Sequence, residues 1–246
     1  ISFPITLLFL LLPKKQCDFC MHWLMKIDSN LLFILSGIFS KTYHQKNINF
    51  EKSHIIIPTH KSYIEAVTIY TTIQKVFKTL GKKELEKTPL YGLIFKAVCI
   101  SVDRSSLAAR AMSFRKMKQE LEQKLSIVIF PEGTFSDEPK DVLLPFQDGC
   151  FSLAIMQKCD LLPILFLDSA ERMHPKKIYQ MTPGYNRAVY LPAISVLERS
   201  KKDTVALKMF VQNYMQACLD FIQENDIENV WDFALKYQKN NTPLYT

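Results

Sequence analysis

Apolar residues follow two regimes along the chain: dense helical stretches at the amino terminus, then short β-branched runs alternating with longer helical periods beyond residue 50. Ile1 to Leu12 is an almost unbroken apolar run closed by Pro13-Lys14-Lys15. It is shorter than the roughly 20 apolar residues needed to cross a bilayer. A second stretch, Phe19 to Phe39, carries Trp23, Ile27, Leu31, Phe33, Ile34 and Leu35 and is broken by Lys26, Asp28 and Asn30. That pattern predicts a helix lying on a membrane surface, and an amphipathic hairpin packed on the core satisfies it equally. From there on, strands are predicted at 54–57, 98–102, 126–130, 161–167 and 187–194, and helices at 62–78, 85–96, 105–124, 148–158 and 202–225.

Such alternation implies an α/β fold with a mostly parallel central sheet flanked by helices, and chemistry at loops leaving the carboxyl ends of strands. The 246 residues suffice for one catalytic domain, expected over 46–246, preceded by a membrane-associating segment over 1–45. With 48% hydrophobic and 22% charged residues and only 6 Gly, disorder and low complexity are excluded. The formal charge of +7 suits an anionic partner. Its basic residues are scattered in pairs and no nucleic-acid module signature is present, so a membrane leaflet or a phosphorylated substrate is expected and nucleic acid is not. Six cysteines lie mostly in apolar stretches, as expected of a reduced, cytoplasmic protein. Cys17-Asp-Phe-Cys20-Met-His22 lacks the second ligand pair that a zinc site needs, and no metal is expected there.

Two loops carry candidate chemistry. In Pro58-Thr59-His60-Lys61-Ser62-Tyr63-Ile64-Glu65, an imidazole follows a buried strand and a carboxylate stands five residues later. Five residues turn a side chain about 140° around a helix, so the pair cannot share a regular helical face. With Ser62 as helix cap, a bend before the helix would bring His60 back to Glu65, at a helix terminus whose dipole favours the neutral ring of a general base. Ser62-x-x-Glu65 is also a capping box, and the two roles can coexist. The second loop, Phe130-Pro131-Glu132-Gly133-Thr134-Phe135-Ser136, follows the Ser126 to Phe130 strand. Its glycine, amides and hydroxyls suit a phosphate or an oxyanion, and a tight strand-to-loop turn explains the same residues.

Taken in order and spacing, these segments resemble the 1-acyl-glycerol-3-phosphate acyltransferases and their glycerol-phosphate acyltransferase relatives. Thr59 to Glu65 is similar to the family's Asn-His-x-Ser-x-x-Asp block. Lys83-Glu84-Leu85, Pro89, Gly92 and Val102-Asp103-Arg104 resemble the second block. Phe130 to Ser136 resembles Phe-Pro-Glu-Gly-Thr-Arg-Ser, and Leu161-Leu162-Pro163-Ile164 the fourth, Pro-bearing strand. The resemblance spans about residues 20 to 225.

The resemblance implies the following roles. His60 deprotonates the acceptor hydroxyl, which attacks the thioester of acyl-CoA or acyl-carrier protein, while Glu65 orients the ring. Arg104 and Lys83 grip the acceptor phosphate, and Ser62, Glu132, Gly133 and Thr134 shape the acceptor pocket and bind the oxyanion. The product is phosphatidic acid when the lysophospholipid is 1-acyl-glycerol-3-phosphate. Neither a metal nor a bound cofactor is required, and the enzyme sits on the cytoplasmic face of a membrane. Two departures stand out: Glu65 replaces the family's Asp, and Phe135 replaces the third-block Arg. They leave open a non-catalytic lipid-binding relative, or an acyltransferase acting on another lysolipid or an amino-lipid. An α/β hydrolase is disfavoured, since no Gly-x-Ser-x-Gly elbow is present.

Overall fold

The computed structural model describes residues 3–88, 91–103, 105–135, 142–177 and 179–242. Seven strands build one sheet: β1 (Ile38–Tyr43), β2 (Ile55–Pro58), β3 (Phe77–Lys82), β4 (Cys99–Val102), β5 (Ser126–Val128), β6 (Leu161–Phe166) and β7 (Gly184–Tyr190). They lie in the order β1-β7-β6-β2-β5-β3-β4, and each neighbouring pair is parallel except β6 and β7. The expected α/β class with a mostly parallel sheet is thus the observed architecture.

The helices are α1 (Phe3–Phe9), α2 (Lys14–Leu35), α3 (Glu65–Thr72), α4 (Tyr91–Val98), α5 (Leu107–Glu122), α6 (Gly149–Gln157), α7 (Ser169–Arg172), α8 (Thr204–Glu224) and α9 (Val230–Asn241). They cover both faces of the sheet, which is why the central strands are continuous apolar runs. On β2, Ile55 and Ile57 join a cluster with Met117 of α5, Phe151 of α6 and Val211 and Met215 of α8. Ile56, between them, points to the other face and packs with Ile69 and Tyr70 of α3, with Met25 of α2 against that cluster.

The amino-terminal helices dock on this body with one face and present another outward. Cys17, Met21 and Leu24 of α2 pack with Phe9, Leu10, Ile94, Ala97 and Val98. Asp18 pairs with Lys78 of β3 at 2.6 Å, both side chains buried. On the far side of α2, Phe19, Trp23, Ile27 and Ile34 are exposed. Their spacings of four, four and seven residues place them on one stripe. Among the described residues no helix is long and apolar enough to cross a membrane.

Several elements depart from the sequence-based expectation. The second apolar stretch is helical only to Leu35, because Gly37 takes φ +66° just past the helix end and the chain re-emerges as the edge strand β1. The helix expected over 62–78 stops at Thr72 and gives way to β3, in which Lys78 reads as a surface residue yet is buried by its pairing with Asp18. The last strand starts at Gly184 and ends at Tyr190, since Pro192 cannot donate to a ladder. The helix expected over 85–96 resolves into a short 3-10 turn, Lys83–Lys87, and α4. Beyond the expected closing helix lies a further one, α9.

Candidate active site

The strands β2, β3, β4, β5 and β6 all run the same way, so their carboxyl ends lie at one edge of the sheet. The loops after β2 and β5 meet there. Thr59 closes β2 by clamping β6: its hydroxyl donates to the Phe166 carbonyl at 3.3 Å and accepts the Phe166 N–H at 2.9 Å. His60 follows, in the loop, and α3 begins only at Glu65. This bend returns the carboxylate to the ring, with His60 Nδ1 2.8 Å from Glu65 Oε2.

Glu65 is fully buried, and the Lys61 N–H donates to both its oxygens at 2.9 and 3.1 Å. The helix-opening carboxylate therefore satisfies the Lys61 amide and the imidazole together. The expected Ser62 cap is not formed: the residue before the helix is Ile64, no side chain caps it, and the Ser62 hydroxyl is drawn to Met173 instead. Burial pushes the Glu65 carboxyl up, opposed by the hydrogen bond from His60 and those from the backbone. The His60 ring is 17% exposed, leaving an open edge on an otherwise enclosed group. Phe130 stacks on it at 4.0 Å between centroids and Phe135 tilts against it at 4.2 Å. Tyr63 meets Phe135 edge-on at 4.3 Å.

Glu132 ties the two loops together. Its Oε1 accepts the His60 N–H at 2.8 Å and its Oε2 the Leu144 N–H at 2.9 Å, and the side chain is buried. Burial also raises this carboxyl, against those two backbone bonds. Glu132 thus braces the base from behind and does not line the pocket. Gly133 adopts φ +73°, and its N–H donates to the Phe130 carbonyl at 3.2 Å, so this amide closes the turn and does not face an oxyanion. Thr134 is exposed beside it.

The remaining expected residues are placed differently. Ser62 is fully buried; its hydroxyl donates to the Met173 carbonyl and accepts the Ile64 N–H at 3.3 Å. It anchors the segment after α7 and offers nothing to a bound substrate. Lys83, past the end of β3, pairs with Asp103 past the end of β4 at 2.9 Å. The Ser105 hydroxyl, Lys83 and the Ser105 N–H hold the Asp103 carboxyl well below the usual carboxylate range. Arg104 lies outside the described residues, as do Pro89 and Ser136. Cys17 and His22 are buried, the latter among Trp23, Tyr70 and Phe77. Among the described residues no cluster of His, Cys, Asp or Glu could hold a metal.

Thr59, Lys61, Tyr63 and Phe130 fall within the two loops that the sequence singles out, but sequence reasoning gave none of them a role of its own. Lys61 is buried with its ammonium donated to the Val142 carbonyl, which draws the 142–147 segment over the loop. Only their adjacence to His60 and Glu132 could have signalled them.

Comparison with known proteins agrees with this geometry. The family model described as Acyltransferase matches residues 40–167. A 1-acyl-sn-glycerol-3-phosphate acyltransferase of Limnanthes alba is 31% identical over 147 residues, covering 59% of this chain and 51% of its own length. The enzyme of that name from Escherichia coli is 24% identical over 164 residues, covering 66% and 65%. An uncharacterized acyltransferase of Schizosaccharomyces pombe is 26% identical over 137 residues, covering 55% and 49%. The chain thus spans about half the length of the first of these curated relatives. The crystal structure of the 1-acyl-sn-glycerophosphate acyltransferase PlsC from Thermotoga maritima superposes with a TM-score of 0.74 at 16% identity, over 90% of this chain and 88% of that one, and shares the fold. On the family match over half of its length, the chain belongs to the acyltransferase family.

Proposed function

We propose that this chain transfers a fatty acyl group from acyl-CoA or an acyl-carrier-protein thioester to the free hydroxyl of a lysophospholipid. The acceptor for which its relatives are named, 1-acyl-glycerol-3-phosphate, would yield phosphatidic acid. The observation that carries the reading is the 2.8 Å contact between His60 Nδ1 and the buried Glu65. With the carboxylate ionised, Nδ1–H donates to it, which leaves Nε2 to accept a proton. The acceptor hydroxyl then gives its proton to Nε2 while its oxygen forms a bond to the thioester carbonyl carbon. Collapse breaks the C–S bond, and the imidazolium returns the proton to the leaving thiolate. Glu65 holds the ring during the interval in which it is charged. The scheme uses no metal and no cofactor. Lys83, and Arg104 beyond the described residues, supply cations for the acceptor phosphate.

The exposed stripe Phe19, Trp23, Ile27 and Ile34 on α2 seats the enzyme on a membrane surface, where lysolipid and acyl chain both partition. A formal charge of +7 suits the anionic cytoplasmic leaflet. The test is acyl transfer in detergent micelles from palmitoyl-CoA and from palmitoyl-carrier protein, wild type beside His60→Ala. Product from the wild type that disappears in a folded His60→Ala establishes base and reaction class. Lipid binding without turnover on any donor or acceptor overturns the reading in favour of a non-catalytic lipid-binding protein.

A further inference from the structure

Phe135 stands where the resemblance puts an arginine, and its placement shows what the substitution does to the site. Its ring lies 4.2 Å from the His60 centroid on one side and 4.3 Å from that of Tyr63 on the other. Tyr63 is 55% exposed, so the corner these two rings make opens to the surface beside the base. Phe130 stacks on the same imidazole at 4.0 Å. Among the described residues, the wall next to the base is therefore made of aromatic rings. The charged groups described nearby are committed elsewhere: Lys61 to the Val142 carbonyl and Glu132 to two backbone amides.

A π face attracts a cation through the ring quadrupole and gives a phosphate dianion nothing to pair with. An arginine at this place would do the reverse, offering a bidentate fork to a terminal phosphate. We infer that Phe135 and Tyr63 determine acceptor head-group specificity. Their aromatic corner takes the ammonium of an amine-capped lysophospholipid, a phosphocholine or phosphoethanolamine diester, and the site does not select for the phosphomonoester. Tyr63 lies two ring-to-ring steps of 4.2 and 4.3 Å from the imidazole, across the Phe135 ring, and the chain of atoms from an acceptor hydroxyl through the phosphodiester to its ammonium is long enough to reach that far. The inference rests on the acyl-transfer reading and names its acceptor class.

The experiment compares initial rates on two acceptors with the same acyl chain, 1-acyl-glycerol-3-phosphate and 1-acyl-glycero-3-phosphocholine, with palmitoyl-CoA and palmitoyl-carrier protein as donors. Wild type, Phe135→Arg, Phe135→Leu and Tyr63→Leu are assayed. Expected kcat/KM values of the wild type on the two acceptors lie within about tenfold of each other. Phe135→Arg moves their ratio toward the phosphomonoester by about tenfold or more, and the leucine variants raise KM for the choline acceptor about tenfold relative to KM for the phosphomonoester, as loss of a partly desolvated cation–π contact requires. The leucine variants keep an apolar side chain of similar bulk, so they report on specificity even where the arginine variant folds poorly. A wild-type preference for the phosphomonoester of more than about 100-fold, or a ratio unmoved in folded Phe135→Arg, overturns the inference while leaving acyl transfer standing. Absence of transfer to both acceptors and to 1-acyl-glycero-3-phosphoethanolamine overturns this inference, and absence of transfer from any donor to any lysolipid overturns the acyl-transfer reading as well.

Discussion

Shortening Glu65 to Asp is the most informative single perturbation, because it restores the residue the resemblance expects and yet should damage this protein. The existing carboxylate reaches His60 Nδ1 at 2.8 Å and the Lys61 N–H at 2.9 and 3.1 Å from a fully buried position. Removing one methylene withdraws the carboxyl by one carbon–carbon bond, about 1.5 Å. Added to the present separation, that puts the oxygen beyond hydrogen-bonding range of the ring unless the backbone advances. The backbone is held: Thr59 is clamped to β6, the His60 N–H to Glu132, and Ser62 to Met173. A displacement near 1 Å costs on the order of 100-fold in rate. Glu65→Asp is therefore expected to lower kcat about 100-fold with little change in KM, since the lost contact stabilises the imidazolium and not the bound ground state. The assay is steady-state acyl transfer alongside a thermal melt to confirm folding. Glu65→Gln, which keeps the reach and removes the charge, should also lose kcat. An aspartate variant as active as the wild type would refute the claim that these loops are rigid around a glutamate-length acid.

Other expectations follow from the same geometry. Breaking the buried Asp18–Lys78 pair with Asp18→Ala should cost about 3–5 kcal/mol in urea unfolding, by leaving the buried Lys78 ammonium with the Ala97 carbonyl but no counter-charge, whereas Asp18→Leu with Lys78→Met should recover most of it; equal losses in single and double variants would exclude the pair as a tether of α2. His22 is buried, and burial with a smaller contribution from Lys26 lowers its pKa from 6.5 to about 4. Since the folded value is the lower one, the fold binds fewer protons than the unfolded chain between these values. Stability is full above pH 6.5 and is lost as pH falls toward 4, at about 1.4 kcal/mol per unit and about 3 kcal/mol in all. Unfolding curves of His22→Leu should lack that acid slope, and an unchanged slope would assign it to other groups. Ile27→Asp and Ile34→Asp on the outward stripe of α2 should release the protein from liposomes in sedimentation without lowering its melting temperature; retention by the bilayer would count against this face as the seat.

The sequence by itself determined the α/β class, the parallel core strands and the loops that bear chemistry, because these are local signals. Ile55-Ile56-Ile57 is apolar at every position since both faces of β2 are covered, and His60, Glu65 and the Phe130 to Thr134 segment sit directly after such strands. What escaped it depends on contacts between distant segments. Lys78 looks solvent-exposed until Asp18 is seen against it, and so the expected helix runs on through Phe77 and Lys78, where β3 begins. Glu132 has the side chain of a pocket residue, yet it serves the His60 and Leu144 amides 72 and 12 residues away. Ser62 has a hydroxyl fit for a substrate and gives it to Met173, 111 residues on. The role of Phe135 is likewise invisible in one dimension, where it is only a missing arginine. Tertiary structure alone brings its ring against His60 and Tyr63. The physical reason is common to all four: a polar or aromatic side chain has several energetically adequate uses, and which one is realised depends on the partners that folding carries within a few ångströms of it.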